Sequence, residues 1–173
     1  MSAEHPVCAE ETHVLAMAEF VVVCERDVVI YTSPLGACIG VAIYDPVAQV
    51  AGLMHSLLPN SNIDPKRAAA RPAMFLDSGL HAMLGEAYRM KARPENLIIS
   101  VAGGGRILDE STQFNIGQRN FDTIQDLLDS HGLLIRAKDV GGMVNRTMIL
   151  DAATGHVRLK ISGQSVHKLL CKP

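Results

Sequence analysis

Alternating apolar residues predict a strand at residues 39–45, because a period of two is typical of β-structure. Residues 50–58 are apolar again and are expected to run back beside it. The intervening Asp45-Pro46-Val47-Ala48 predicts a type I turn, since proline at the second position has the φ angle that this turn needs. With the two central residues at the tip, Cys38 is expected directly opposite His55, with Cβ atoms roughly 5 Å apart.

Helical periodicity appears twice along the chain. Apolar residues recur at spacings of three and four over residues 72–90, which predicts an amphipathic helix. A second helix is predicted at residues 116–130, with Gly132 just beyond its end, where a left-handed residue commonly closes a helix. Further strands are predicted at residues 19–25, 28–32, 97–102, 133–140, 146–150 and 157–161. About seven or eight strands, paired in hairpins, and two main helices predict an α+β fold with mixed or antiparallel sheets.

One domain is expected over residues 19–165, with an N-terminal arm at residues 1–18 and a C-terminal tail at residues 166–173. The length of 173 residues suits a single domain with a substantial core. A content of 48% hydrophobic and 20% charged residues is ordinary for a globular domain.

Charge and hydropathy exclude several classes of partner. The net charge is −2 without a basic block, which argues against nucleic acid or an anionic membrane as the main partner. No apolar run approaches the ~20 residues that span a bilayer. The N-terminal stretch lacks the basic start of a secretory signal, so a cytoplasmic location is expected.

The candidate chemistry centres on Cys38 and His55. None of the four cysteines forms a C-x-x-C pair, and no Cys/His cluster has the spacing of a zinc site, so neither a metal nor a cofactor is expected. Cys38 and His55 are the only cysteine and histidine that the predicted strands bring together, and a nearby imidazole can activate a thiol. Thr32, six residues before the cysteine, is a candidate third member, and Gly36 is a candidate for admitting backbone N–H groups to an oxyanion. The alternative is that Cys38 is simply a buried strand residue.

The glycine run at residues 103–105 has no Gly-Lys-Ser/Thr ending and no G-x-G-x-x-G pattern, so it does not predict a phosphate loop. A tight turn with close backbone contacts is expected instead.

The chain resembles the chemoreceptor glutamine deamidase family CheD over roughly residues 19–161. The matching residues are Thr32-x-x-Leu35-Gly36-Ala37-Cys38, Tyr44-Asp45-Pro46, His55-x-x-Leu58-Pro59, Asp77, Gly103-Gly104, Ile116-Gly117-x-Arg119-Asn120, Asp139-x-Gly141-Gly142, Arg146 and Asp151-x-x-Thr154-Gly155. The resemblance implies a mixed α/β sandwich with helices packed outside the sheets, similar to that of deamidating toxins.

The resemblance also implies an activity, protein-glutamine glutaminase. In that role Cys38 is the nucleophile, His55 the general acid/base and Thr32 the third catalytic residue, without metal or cofactor. A depressed Cys38 pKa is expected with it. The implied partners are methyl-accepting chemoreceptors, as the protein substrate, and a CheC-type phosphatase. Gly36, Gly103, Gly104 and Asn120 are expected to contribute to substrate or partner binding.

This chain departs from the family pattern at Ala37, Ser56, Ala102 and Gln118, where the family usually has Ser, Phe, Phe and Glu. The predicted catalytic trio is intact. Three other interpretations stay open: a non-catalytic binding module for a phosphatase or receptor, a cysteine protease or other amidase on the same pair, and two unrelated residues in a hairpin.

Overall fold

Two five-stranded sheets and three α-helices form the fold in the computed structural model, which describes residues 11–106 and 115–173. The strands are β1 (Glu11–Leu15), β2 (Glu19–Val23), β3 (Val28–Thr32), β4 (Ile39–Asp45), β5 (Val50–Ser56), β6 (Ile98–Gly103), β7 (Ile135–Val140), β8 (Arg146–Asp151), β9 (Val157–Ile161) and β10 (Lys168–Cys171). The helices are α1 (Pro65–Ala70), α2 (Leu76–Arg89) and α3 (Ile116–Ser130).

Both sheets are mixed. The outer sheet has the strand order β1-β3-β8-β9-β10, and the central sheet has the order β2-β5-β4-β6-β7. The β1–β3 and β6–β7 pairs are parallel, and the other paired strands are antiparallel. The predicted α+β class with mixed sheets is therefore confirmed.

The central sheet is buried on both faces at its middle, and every residue of β4 and β5 is buried. Ile39, Val41 and Ile43 point to one face, where they pack with buried residues of α2 and α3. Ala42 and Tyr44 point to the other face and pack against the outer sheet. The helices thus lie outside the sheets, as expected, and all three layers meet at β4 and β5.

The two predicted main helices are confirmed. A short 3₁₀ turn at Pro72–Met74 precedes α2, whose buried residues recur at the predicted spacing. The Asn115 side chain caps α3 by accepting a hydrogen bond from the Gln118 N–H. Gly132 follows α3 with φ of +68°, the left-handed conformation that glycine adopts without steric cost.

Strands also occur within the predicted arm and the predicted tail. β1 lies within the predicted arm and pairs with β3, and β10 lies within the predicted tail and pairs with β9. Both are edge strands that bury one residue each, Leu15 and Cys171. Their sequences consequently lack the apolar alternation that identifies strands buried on one face. Residues 1–10 of the predicted arm lie outside the described residues.

The predicted register of the β4–β5 hairpin is wrong by two residues. Asp45 pairs with Val50, and Gly40 rather than Cys38 pairs with His55. A shift of two preserves the face on which each side chain lies. Cys38 therefore precedes β4 on the face that carries His55, diagonally displaced from it instead of opposite.

The Asp45 carboxylate explains the longer turn. It is fully buried and accepts hydrogen bonds from the N–H groups of Val47 (2.8 Å), Ala48 (2.9 Å) and Arg93 (2.9 Å). Burial alone would raise the pKa of Asp45, but these hydrogen bonds outweigh it and lower the pKa. Gln49 completes the four-residue connection with φ of +55°.

We expect Asp45→Asn to destabilise the fold, because the amide nitrogen is a donor and cannot accept every hydrogen bond that the carboxylate accepts. The loss should be about 1–3 kcal/mol of unfolding free energy, measured by urea denaturation at pH 7. Asp151→Asn is the matched control, since Asp151 begins the β8–β9 turn and its carboxylate accepts from the Ala153 N–H. Equal losses in the two variants would contradict the role assigned to Asp45.

Candidate active site

The loop before β4, residues 33–38, carries the candidate nucleophile, and we call it the Cys38 loop. Leu35 anchors one side of it by pairing with Arg146 of the outer sheet, through N–H···O bonds of 2.6 and 3.1 Å. On the other side, the Gly104 N–H donates to the Cys38 carbonyl and the Gly105 N–H donates to the Gly36 carbonyl, both at 2.8 Å. The loop is therefore fixed by both sheets.

Glycine is required where the chain after β6 contacts this loop. Gly103 has φ of +114°, and a Cβ there would collide with the Cys38 carbonyl oxygen. Gly104 has φ of +62°, and its Cβ would lie 2.9 Å from the Gly117 carbonyl oxygen. The predicted tight turn with close backbone contacts is confirmed, and it forms a wall of main chain beside Cys38.

His55 lies between the two sheets and is completely buried. Its Nδ1 is 3.0 Å from the Ser33 hydroxyl oxygen, within hydrogen-bond distance. Its Nε2 is also buried and has no hydrogen-bond partner among the described residues. Burial lowers the pKa of His55 to about 4, so the ring is neutral at pH 7.

Cys38 is partly exposed and packs against side chains that lie between the sheets. Burial raises the pKa of its thiol, and a hydrogen bond from the Cys38 backbone N–H offsets only part of this effect. The expected depressed pKa is therefore wrong for this structure. Both side chains are therefore uncharged at pH 7.

Thr32 makes a different contact from the one suggested by its position in the sequence. It is buried at the end of β3, and its hydroxyl oxygen accepts a hydrogen bond from the Met148 N–H at 3.0 Å. This contact ties β3 to β8. The hydroxyl within hydrogen-bond distance of the His55 ring is that of Ser33 instead. Ser33 was missed because strand alternation does not fix side-chain direction at a bend.

The residues predicted to bind substrate or partner mostly contact the Cys38 loop. Asn120 is fully buried, and its amide donates to the carbonyl oxygens of Ala37 (3.0 Å) and Leu57 (2.8 Å). It therefore joins the residue before Cys38 to the segment just after His55. Gly103 and Gly104 are buried, and Gly36 is partly buried beside Asn145. Their contribution to binding stays a prediction.

An ion-pair network holds Arg146, the residue that anchors the Cys38 loop. The buried Arg146 guanidinium donates through Nε and Nη2 to one oxygen of Asp139, with both distances 2.7 Å. Lys168 Nζ lies 2.6 Å from the other oxygen. Burial tends to raise the Asp139 pKa, but Lys168 and Arg146 lower it overall. The network joins β7, β8 and β10 at the residue that anchors Leu35.

Within the described ranges, no group of three or more His, Cys, Asp or Glu side chains is arranged to hold a metal ion. None of the described helices is both long enough and apolar enough to cross a membrane.

The chain is similar to known proteins over most of its length. The family model for CheD chemotactic sensory transduction matches residues 57–161. "Probable chemoreceptor glutamine deamidase CheD 1" of Syntrophus aciditrophicus is 39% identical over 141 residues, which cover 82% of this chain and 88% of that protein. "Probable chemoreceptor glutamine deamidase CheD" of Desulforamulus reducens is 40% identical over 76% of this chain and 80% of that protein.

A relative of the same name in Pyrococcus abyssi is 36% identical, over 82% of this chain and 88% of that protein. Among solved structures, the Bacillus licheniformis hypothetical protein YfiH aligns with a TM-score of 0.39 and 12% identity, over 72% of this chain and 49% of that one. A likeness of that size carries no argument about this chain.

We expect Asn120→Asp to destabilise the fold by about 2–4 kcal/mol, because an acceptor-only carboxylate would face two carbonyl oxygens in a buried site. The measurement is the free energy of unfolding in urea. Asn115→Asp is the control in the same helix, because an aspartate serves well as an N-cap. Similar stability of the two variants would show that Asn120 does not hold the loop.

The buried imidazole also predicts a pH dependence of stability. An unfolded chain takes up a proton at His55 as pH falls through about 6.5, whereas the folded chain does so only near pH 4. The stability contributed by neutral His55 is therefore complete above pH 6.5 and is lost as pH falls toward 4. The loss is roughly 3 kcal/mol.

This contribution is isolated by comparing the unfolding free energy of the native chain and of His55→Gln between pH 4 and 7. The variant should lack that part of the pH dependence. His81→Gln, on an exposed position of α2, controls for loss of an imidazole. An unchanged pH profile in His55→Gln would mean that His55 is not held neutral by the fold.

Proposed function

Because the chain belongs to the CheD family of chemotactic sensory transduction proteins, we propose that it is a chemoreceptor glutamine deamidase. The reaction is hydrolysis of a glutamine side-chain amide in a receptor to glutamate and ammonia. The observation that carries the proposal is that Cys38 and a buried, neutral His55 lie on one face of the same hairpin. The relatives' names supply the substrate class.

The first half of the reaction forms a thioester. The Cys38 thiol gives its proton to His55 Nε2, and the sulfur attacks the carboxamide carbon. The Cys38 backbone N–H, which hydrogen-bonds its own sulfur, is a candidate donor to the oxyanion that develops. His55 then protonates the leaving nitrogen as the C–N bond breaks, and ammonia departs.

The second half releases glutamate. Water gives a proton to His55 as its oxygen attacks the thioester carbon, and the C–S bond breaks. The proton on His55 returns to the Cys38 sulfur, which restores the neutral pair. No net proton is gained or lost by the two side chains, in keeping with a buried imidazole that is costly to hold in its charged form.

A non-polar setting suits this sequence of steps. The positive imidazolium exists only while a negative thiolate or tetrahedral intermediate is present to balance it. An unbalanced positive charge therefore does not arise between the sheets. Residues 103–105, which we call the glycine wall, and Asn120 hold the main chain of the Cys38 loop. Attack by the Cys38 sulfur therefore needs little rearrangement of the loop. The family resemblance predicts that Thr32 is the third catalytic residue of this mechanism. In the structure, its hydroxyl oxygen accepts a hydrogen bond from the Met148 N–H.

The family resemblance predicts two further properties. One is regulation by a CheC-type phosphatase, and the other is a cytoplasmic location. Both remain predictions.

Cys38→Ala tests the proposal directly. A candidate receptor is incubated with either form, and conversion of glutamine to glutamate is followed by mass spectrometry together with released ammonia. The variant should lose activity by about 10³-fold or more, because the proposed thioester forms on the Cys38 sulfur. Cys24→Ala is the matched control, since Cys24 is an exposed free cysteine, and it should retain full activity.

Two results would overturn the proposal. Undiminished ammonia release by Cys38→Ala would exclude the thioester mechanism. Receptor binding by the native chain with no deamidation would favour a binding module, and backbone cleavage of the receptor without deamidation would favour a protease.

A further inference from the structure

Ser33 contacts Nδ1 of His55, the ring nitrogen that the mechanism proposed above does not use. Its hydroxyl oxygen lies 3.0 Å from Nδ1, and its own backbone N–H donates to the Leu15 carbonyl at 2.8 Å. The serine is therefore fixed to the outer sheet, while His55 belongs to the central sheet. The family motif leaves residue 33 open between Thr32 and Leu35, so neither the motif nor the relatives' names give it a role.

We propose that Ser33 is the positioning residue of His55, accepting a hydrogen bond from Nδ1–H and so leaving the Nε2 lone pair free to take the Cys38 proton. This proposal rests on the proposed function, because it assigns a role in that mechanism. It goes beyond the proposed function by naming the group that fixes the imidazole tautomer.

The chemistry of a neutral imidazole explains why this hydrogen bond matters. One ring nitrogen carries hydrogen and the other a lone pair, and the hydrogen bond made at one nitrogen decides the state of the other. With hydrogen on Nδ1, Nε2 is a base. With hydrogen on Nε2, the ring cannot accept the thiol proton there, and a buried N–H is left without a protein acceptor among the described residues.

Ser33 is the residue within hydrogen-bond distance of the His55 ring in the part of the chain that the structure describes. Gly40 is directly across from His55, and the space beside it is filled by the apolar side chains of Leu35 and Met148. The neighbouring Thr32 hydroxyl oxygen accepts from the Met148 N–H. Glu19, directly across from His55 on β2, accepts a hydrogen bond from the Ala16 N–H. Removing the Ser33 hydroxyl would therefore take away the hydrogen bond that distinguishes the two tautomers.

The first test reads the tautomer itself and needs no receptor. Nitrogen-15-labelled histidine in the native chain is examined by two-bond nitrogen–proton correlation at pH 7, and the His55 signals are assigned by their loss in His55→Gln. We expect the Nδ1–H tautomer in the native chain, retention of it in Ser33→Thr, and a shift toward the Nε2–H tautomer in Ser33→Ala. An Nε2–H tautomer in the native chain, or an unchanged tautomer in Ser33→Ala, would overturn the proposal.

The second test measures thiol reactivity. Cys38 alkylation by iodoacetamide at pH 7, followed by peptide mass spectrometry, should slow by about 10- to 100-fold in Ser33→Ala, by analogy with the loss of a residue that orients a metal-binding histidine through its other ring nitrogen. Ser33→Thr should recover most of the rate. Ser78→Ala is the control, because Ser78 is equally half-buried and bonds the Pro72 carbonyl in the helical layer. Equal rates in Ser33→Ala and Ser78→Ala would contradict a positioning role.

The receptor assay separates this proposal from the proposed function. In Ser33→Ala, kcat for deamidation should fall by about 10- to 100-fold with KM unchanged, because the serine acts through His55 and does not touch substrate. If the native chain deamidates no receptor, the proposed function fails while the tautomer result still stands. If the native chain is active and kcat is unchanged in Ser33→Ala, the positioning role fails and the function stands.

Discussion

The active-site arrangement depends on close contact between the backbone of the Cys38 loop and the backbone of the segment after β6, with no side chain between them. The carbonyl groups of the Cys38 loop accept hydrogen bonds from a glycine wall that tolerates no Cβ at Gly103. Gly117, at the start of α3, extends the same contact, since a Cβ there would meet the carbonyl oxygens of Gly104 and Gly105. The loop, the end of β6 and the start of α3 therefore form one tightly packed backbone junction. The thiol is positioned by that junction.

Burial determines the electrostatic character of the pair. It raises the Cys38 pKa and lowers that of His55, so both effects favour the uncharged forms. The resting site therefore holds little thiolate. The ordinary electrophiles of a cell meet a thiol of low reactivity, because the thiolate is the nucleophilic form.

Some of this organisation was predictable from the sequence. The helical periodicity of α2 and α3 is strong, because each helix buries one continuous face, and the strands of the central sheet are marked by runs of apolar residues. The hairpin register was not predictable, because it depends on hydrogen bonds that Asp45 makes within its turn and to Arg93. β1 and β10 escaped detection because an edge strand buries too little to impose a pattern. Ser33 escaped because its direction is set by the bend.

The division of the outer sheet between distant parts of the chain has a consequence for biosynthesis. β1 and β3 precede the Cys38 loop, whereas β8, β9 and β10 follow the last strand of the central sheet. A ribosome therefore completes every strand of the central sheet before it makes Arg146, the partner of Leu35, and Met148, the donor to Thr32. During translation the loop lacks these anchors, and the nascent chain acquires an ordered thiol only after β8 has emerged.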